Sequence, residues 1–334
     1  MRRSRSSWTT LVTIAAGVAL VSAACGSSSS PTTNTKSSAI HIIAVMEGPE
    51  TDTHWSQIAK GLQLAGQQLG VTTTYLGVPS SGSVDPAAFK RLLLTAMAEH
   101  PQGMLIDDDV PATYDSTIQQ IVAAGIAVIF VEYSQSSVAP DGALSIIWTD
   151  DIQEAAAAGQ RLAASGCKVA LVVTILKGEA QFADNRTAGF TQGFGGGTII
   201  RTSIPLSSIT DSTAIKGIVS DDLIKNPSIG CTFSSGELFT PAMVAAQQGL
   251  GARSSSITSG AIDVSPQILT EIQQKQLTFA IDPQPFSEGY LGTVALTNWL
   301  RYGQTPSLNI GTGPAFVDAT NVAKVIALTA QGYR

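Results

Sequence analysis

Residues with reactive side chains are few, and their spacing excludes most covalent chemistry. Histidine occurs only at His41, His54 and His100. None of these stands at the short spacing that holds a metal on one helix, and no Gly-x-Ser-x-Gly elbow presents a serine. The glycine-rich run 193–197 lacks the spacing of a dinucleotide-binding turn and the Lys-Ser/Thr pair of a phosphate loop, so it reads as a turn. No enzyme activity, metal or cofactor is expected. What remains is recognition by non-covalent contact. Asp, Glu and Arg can engage two polar groups at once, and aromatic rings cover apolar C–H surface. Such residues stand where apolar runs give way to helical ones, as at Asp52, His54, Trp55 and Asp263. Asp52 and Asp263 equally suit capping of the helices that follow them.

The elements that must carry these residues alternate in type. Strands are expected at 40–46, 72–76, 103–107, 127–131 and 144–148, with helices at 55–69, 86–99 and 113–124. The pattern then restarts. Strands are expected at 168–175, 198–204, 230–234 and 256–262, with helices at 184–194, 212–225, 241–250 and 265–276. Alternation of this kind builds right-handed βαβ units on parallel sheets, so two runs in series imply two doubly wound lobes. The remainder, strand 277–281, helix 286–301, strand 313–317 and helix 321–329, suits a chain that crosses between lobes several times. The fold class is therefore α/β: two doubly wound parallel-sheet lobes joined by a three-crossing hinge.

In that strand order the first and third strands of a lobe are neighbours. Cys167 precedes the first strand of the second lobe and Cys231 begins its third. Adjacent strands lie ~5 Å apart, within reach of a disulfide, so a Cys167–Cys231 bridge is expected; two buried thiols are the alternative.

The N-terminus speaks to compartment. Arg2, Arg3 and Arg5 precede an uncharged stretch from Trp8 to Ala24, too short for a comfortable membrane span and suited to a secretory signal. The small residues Ser22, Ala23 and Ala24 before Cys25 resemble a bacterial lipobox, which implies a lipid on Cys25. Residues 26–38 contain no apolar side chain and read as a Ser/Thr-rich tether. The map is thus a signal at 1–24 and a tether at 25–38. One lobe follows from 39–149 plus 283–312, and the other from 150–282 plus 313–334. Net charge is −6, and without the three signal arginines 16 basic face 25 acidic side chains, or −9. No basic run exists, which excludes nucleic acid as a partner.

Local features along most of 40–328 resemble the type I periplasmic binding proteins of the ribose and galactose branch. They are Asp52-Thr53-His54-Trp55, the run 125–132 ending in Glu132, and Trp148-Thr149-Asp150-Asp151 with Gly159. Asn185-Arg186-Thr187-Ala188-Gly189-Phe190 follows, then 280–286 with Gly289, and 311–317. The resemblance implies capture of a small polar ligand, a sugar or polyol, for an ABC permease, by a monomer tethered outside the cytoplasmic membrane whose hinge closes at Asp150, Asp282 and Thr312. It carries over Asp52 as a polar anchor, His54 and Trp55 as an aromatic wall, Glu132 as an acceptor and Arg186 as a donor fork. Asp263 is a further acceptor, and Asp150 and Asp282 stand at crossings.

Departures from the family pattern add to this. Tyr133 stands where ribose binders have an arginine, Glu237 lies beside a position usually Asn, and Gln284 is one residue from the usual glutamine, whose slot holds Pro283. An acidic pocket with Arg186 as its main cation suits a neutral polyhydroxyl or a cationic ligand and disfavours phosphate or carboxylate. The closest rival keeps the fold but changes the role, to a sensor of a nucleoside, furanone or amine that feeds a membrane signalling partner. A transcription regulator of the same fold would carry basic residues and a helix-turn-helix where the signal and tether stand.

Overall fold

The computed structural model describes residues 39–79, 85–107, 111–132 and 138–334. Cys25, the signal, the tether and Tyr133 lie outside the described residues. From the first strand the chain runs β1 (His41–Met46), α1 (Thr53–Leu69), β2 (Thr72–Gly77), α2 (Pro86–Ala98) and β3 (Gly103–Asp107). It continues through α3 (Pro111–Ala123), β4 (Ala127–Val131), the short α4 (Val138–Asp141) and β5 (Ser145–Trp148). The second run comprises α5 (Asp151–Ala164), β6 (Val169–Ile175), α6 (Gln181–Phe194), β7 (Thr198–Ile204) and α7 (Ser212–Lys225). Next come β8 (Cys231–Ser234), α8 (Thr240–Gln248), β9 (Thr258–Ile262), α9 (Pro266–Gln273) and β10 (Phe279–Asp282). The chain ends with α10 (Pro285–Tyr302), β11 (Asn309–Gly311), β12 (Ala315–Asp318) and α11 (Val322–Thr329).

Two six-stranded sheets result among the described residues, ordered β11-β5-β4-β3-β1-β2 and β12-β10-β9-β8-β6-β7. All pairs are parallel except β10 with β12, which is antiparallel. Reading strands and helices from the sequence passed over the four-residue α4, too short to show a helical period, and two further elements. One is β11, whose three residues pair with β5 and are too few to show a period. The other is α5, whose alanines 155–158 give little contrast between faces.

Each strand sends alternate residues to opposite faces. Ile43 and Val45 meet α2 and α3 through Phe89, Leu93 and Tyr114, whereas Ile42, Ala44 and Met46 meet α1 and α10 through Ile58 and Leu296. The second sheet repeats the scheme, with α5 and α6 on one face and α7, α8, α9 and α11 on the other. Cys167 and Cys231 are joined by a disulfide with Cα atoms 6.0 Å apart, where β6 and β8 lie side by side.

Three crossings join the sheets, after β5, β10 and β11, and they meet at one point. Thr149 Oγ1 and Thr312 Oγ1 are 2.7 Å apart, and lie 2.7 and 2.8 Å from the Pro283 carbonyl. Each hydroxyl has one proton, so one threonine donates to Pro283 O while the other donates to its neighbour. Gln284 adds a side-chain donor to Thr312 O.

In each lobe a helix pair crosses with backbone against backbone. A Cβ on Gly289 would lie 2.1 Å from Ile58 O, and one on Gly189 would lie 2.2 Å from Ile152 O. Neither backbone can yield without moving its helix. Gly217, exposed within α7, meets nothing within 4 Å. Gly189→Ala and Gly289→Ala should therefore each destabilise by about 1–3 kcal/mol in denaturant unfolding. Gly217→Ala should stabilise by roughly 0.5–1 kcal/mol through helix propensity alone.

Candidate functional site

The strand ends that face the crossings carry the polar groups. Asp52 caps α1: its Oδ1 accepts from the backbone N–H of His54 at 2.9 Å and of Trp55 at 3.5 Å. That cap starts the helix so that His54 faces Glu132 at the end of β4, with Nε2 and Oε1 2.6 Å apart. Burial alone would depress the His54 pKa, but the charge and hydrogen bond of Glu132 hold it up at about 9. Burial likewise tends to raise Glu132, and the charge of His54 outweighs it, so Glu132 is held below the usual range. The two form an imidazolium–carboxylate pair.

Beneath this pair lies Glu288, fully buried on α10. Burial, then the charge of Glu132, push its pKa well up, toward the neutral carboxyl that can donate to Glu132. Thr312 Oγ1 stands 3.3 Å from Glu288 Oε1. Polar contacts thus run from the cleft wall at His54, through Glu132 and Glu288, to the three crossings.

The second lobe is organised by Arg186, which is 5% exposed. Its Nε donates to Asp151 Oδ1 at 2.8 Å and lies 3.1 Å from Glu154 Oε1. Its Nη1 donates to Ser235 O at 2.9 Å and to Asp263 Oδ2 at 3.3 Å. Burial pushes Asp151 up to about 6 and Glu154 well above its ordinary value, with Arg186 offsetting only part of the effect. At the second crossing Asp282, fully buried, accepts from Gln284 N at 2.7 Å and from Arg334 Nε at 2.6 Å. Burial still raises its pKa despite Arg334. Arg334 arrives with Tyr333, whose ring meets Phe286 edge-on at 5.2 Å and lies beneath Lys60 Nζ.

Between the lobes these groups line a small, partly open cavity. Its polar lining is His54 and Gln57 from α1, Glu237 and Asp263 from the ends of β8 and β9, and Asp282. Val264, Pro283 and Pro285 supply apolar surface. Burial raises Glu237 to about 7, with the neighbouring Asp263 adding to the shift and His54 opposing it. Glu132, Asp263 and Gln284 each hold a positive φ, between 64° and 71°, which side-chain-bearing residues seldom adopt. Left-handed backbone at the ends of β4, β9 and β10 turns these side chains at the point where the strands stop, a form of strain that clusters at functional sites.

The sequence matches the family model described as the periplasmic binding protein domain over residues 43–305. This chain belongs to that family. Among solved structures, this periplasmic binding protein is similar to a carbohydrate transporter from Acidothermus cellulolyticus 11B in complex with myo-inositol. That likeness has 27% identity and a TM-score of 0.76, covering 89% of this chain and 100% of that one. A periplasmic ribose ABC transporter from Conexibacter woesei DSM 14684 shares 16% identity at TM-score 0.76, over 89% of this chain and 98% of the other. An arabinose binding protein from Geobacillus stearothermophilus shares 19% at 0.73, over 86% and 99%. The last two speak to the fold alone. No curated protein matches.

Within this periplasmic binding protein the residues singled out from sequence separate into groups. His54, Glu237, Asp263 and Asp282 meet at the cavity, and Glu132 stands behind His54. Asp52 acts as a cap. Trp55 packs edge-on to His54 at 5.0 Å and covers Gly48, outside the cavity lining. Asp150 caps α5 by accepting from Ile152 N and Gln153 N, and it is the next residue, Asp151, that reaches Arg186. Gln284 ties the crossings. Arg186 spends its Nε and Nη1 on the protein, and Arg334 joins it as a second guanidinium of the region. Sequence reasoning missed Gln57, Asp151, Glu154, Glu288 and Arg334. A signal existed for Gln57, which stands three residues after His54 on the same helix face.

Since His54 keeps its proton up to about pH 9 against an ordinary 6.5, the folded protein holds a proton that the unfolded chain releases. The pair's contribution is full below pH 6.5 and is lost as pH rises through about 9. Unfolding free energies compared with those of His54→Gln across that range should show a His54-dependent loss on the order of 3 kcal/mol. A flat difference would mean that the imidazolium is not held by Glu132.

Proposed function

We propose that this chain is an exported, lipid-anchored receptor that captures a sugar or polyol between its lobes and presents it to an ABC permease. The observation that carries the reading is the composition and place of the cleft. Carboxylates, an amide and an imidazole converge from both lobes at the ends of β8, β9 and β10 and the start of α1. Open α/β sheets bind ligands at that edge, and polar groups alternating with Val264, Pro283 and Pro285 suit a ring with hydroxyls at its rim and C–H on its faces. The likeness to an inositol-bound carbohydrate transporter at 27% identity supports the same ligand class. Export rests on the signal-like stretch before Cys25 and on family membership. The receptor acts as a monomer held by the lipid on Cys25.

Capture proceeds by closure about the crossings, the behaviour of two-lobed binding proteins as a class. The Thr149–Thr312–Pro283 cluster is the natural pivot, because all three connections touch there. Closing the lobes excludes water, which strengthens each polar contact the ligand makes.

Titration calorimetry of the purified protein against a panel of pentoses, hexoses and cyclitols tests the ligand class. At least one compound should bind and raise the apparent melting temperature. Asp263→Ala should then cost on the order of 2 kcal/mol of affinity by removing a buried acceptor, and Arg186→Ala a similar amount by releasing Asp151 and Asp263. Unchanged affinity in both variants would place the pocket elsewhere. Small-angle scattering with saturating ligand should show compaction, and an unchanged radius of gyration would defeat closure.

A further inference from the structure

The cavity is short of hydrogen-bond donors. Gln57 is 4% exposed, and its Nε2 donates to Thr53 O at 3.2 Å. That bond fixes which end of the amide is which, since a flipped group would set Oε1 against a carbonyl. Oε1 is left buried with no donor among the described residues, on a side chain that lines the cavity. Asp263 shows the same deficit. Its Oδ1 is buried without a donor, and its Oδ2 receives only two long bonds, from Arg186 Nη1 and Glu237 N, both at 3.3 Å.

Charge points the same way. Among the described residues three cations reach this region, and each has its shortest contact with a carboxylate away from Glu237: His54 with Glu132 at 2.6 Å, Arg186 with Asp151 at 2.8 Å, and Arg334 with Asp282 at 2.6 Å. Glu237 has no cation in contact among the described residues. It shares the cavity with Asp263, whose charge pushes its pKa up. A hydroxyl brings one donor to such a wall, and with it two lone pairs that the wall cannot satisfy. An ammonium brings three donors, no acceptor and a positive charge.

We propose that the ligand of this cleft is an amino sugar or aminocyclitol, its ammonium seated among Glu237, Asp263 and the free Oε1 of Gln57. The inference rests on the sugar or polyol reading above and narrows it. The hydroxyls of such a ligand turn toward the remaining polar wall at His54, and its C–H face toward Val264 and the two prolines. An anionic sugar is disfavoured by the same carboxylates.

The test is a matched comparison by titration calorimetry on the purified protein. Glucosamine is set against glucose, and an amino-deoxy-inositol against myo-inositol. In at least one pair the amine should bind at least about tenfold more tightly than its neutral parent, as a charge-assisted contact requires. Glu237→Gln should bring that ratio down toward one. Asp263→Asn, which keeps the shape and tolerates the left-handed backbone, should reduce it as well. Amines that bind no better than their parents would overturn the amine inference and leave the polyol reading standing. So would a preference that survives both substitutions. If no compound of either kind binds, while the protein unfolds cooperatively, both fall.

Discussion

Charge buried between two lobes is the constraint from which most of this structure follows. Carboxyl groups in and beneath the cleft outnumber the cations His54, Arg186 and Arg334, and few of them keep full contact with water. A buried charge is tolerated only when it is paired or neutralised. The protein uses both routes. Glu132 is paired with His54, Asp151 with Arg186 and Asp282 with Arg334, whereas burial pushes Glu154 and Glu288 toward the neutral form. What is left least compensated lies on the cavity wall: Glu237, with no cation in contact among the described residues, and Asp263, which keeps only long bonds from Arg186 Nη1 and Glu237 N and whose Oδ1 has no donor. The most economical account is that the missing partner is the ligand.

The fold explains why such a concentration of charge can exist without unravelling either lobe. Each sheet is covered on both faces, so the two hydrophobic cores form away from the cleft and do not depend on its occupancy. The polar groups hang from strand ends and helix starts, where backbone groups are in any case short of partners. The three crossings share one hydrogen-bonded cluster, and Glu288 links that cluster to Glu132 and so to the cleft wall. The cleft wall at His54 and the three crossings therefore belong to one connected network.

Much of this was legible in the sequence, because hydrophobic period and chain punctuation are local. Alternating runs revealed the order of nearly every strand and helix, and the adjacency of β6 and β8 brought Cys167 close to Cys231. Legibility failed where partners are distant or contrast is low. Strand β11 exists because Trp148 and its neighbours on β5 offer a free edge, and α5 because alanine-rich sequence favours a helix without marking a face. Within the site, residues at strand ends such as Asp263 were readable. The division of labour between Asp150 and Asp151 was not, since it depends on where the helix cap falls. Arg334 meets Asp282 across 52 residues of chain, a separation at which spacing carries no information.

The central claim is that an acceptor-rich cavity between the lobes is completed by donors from a small polyhydroxyl ligand. A crystal structure of the protein with its tightest-binding compound tests this most directly. The account predicts the compound enclosed by both lobes, with donors in hydrogen-bond reach of Gln57 Oε1 and Asp263 Oδ1. A ligand lodged outside the cleft, or one that leaves both of those oxygens without a donor, would contradict it.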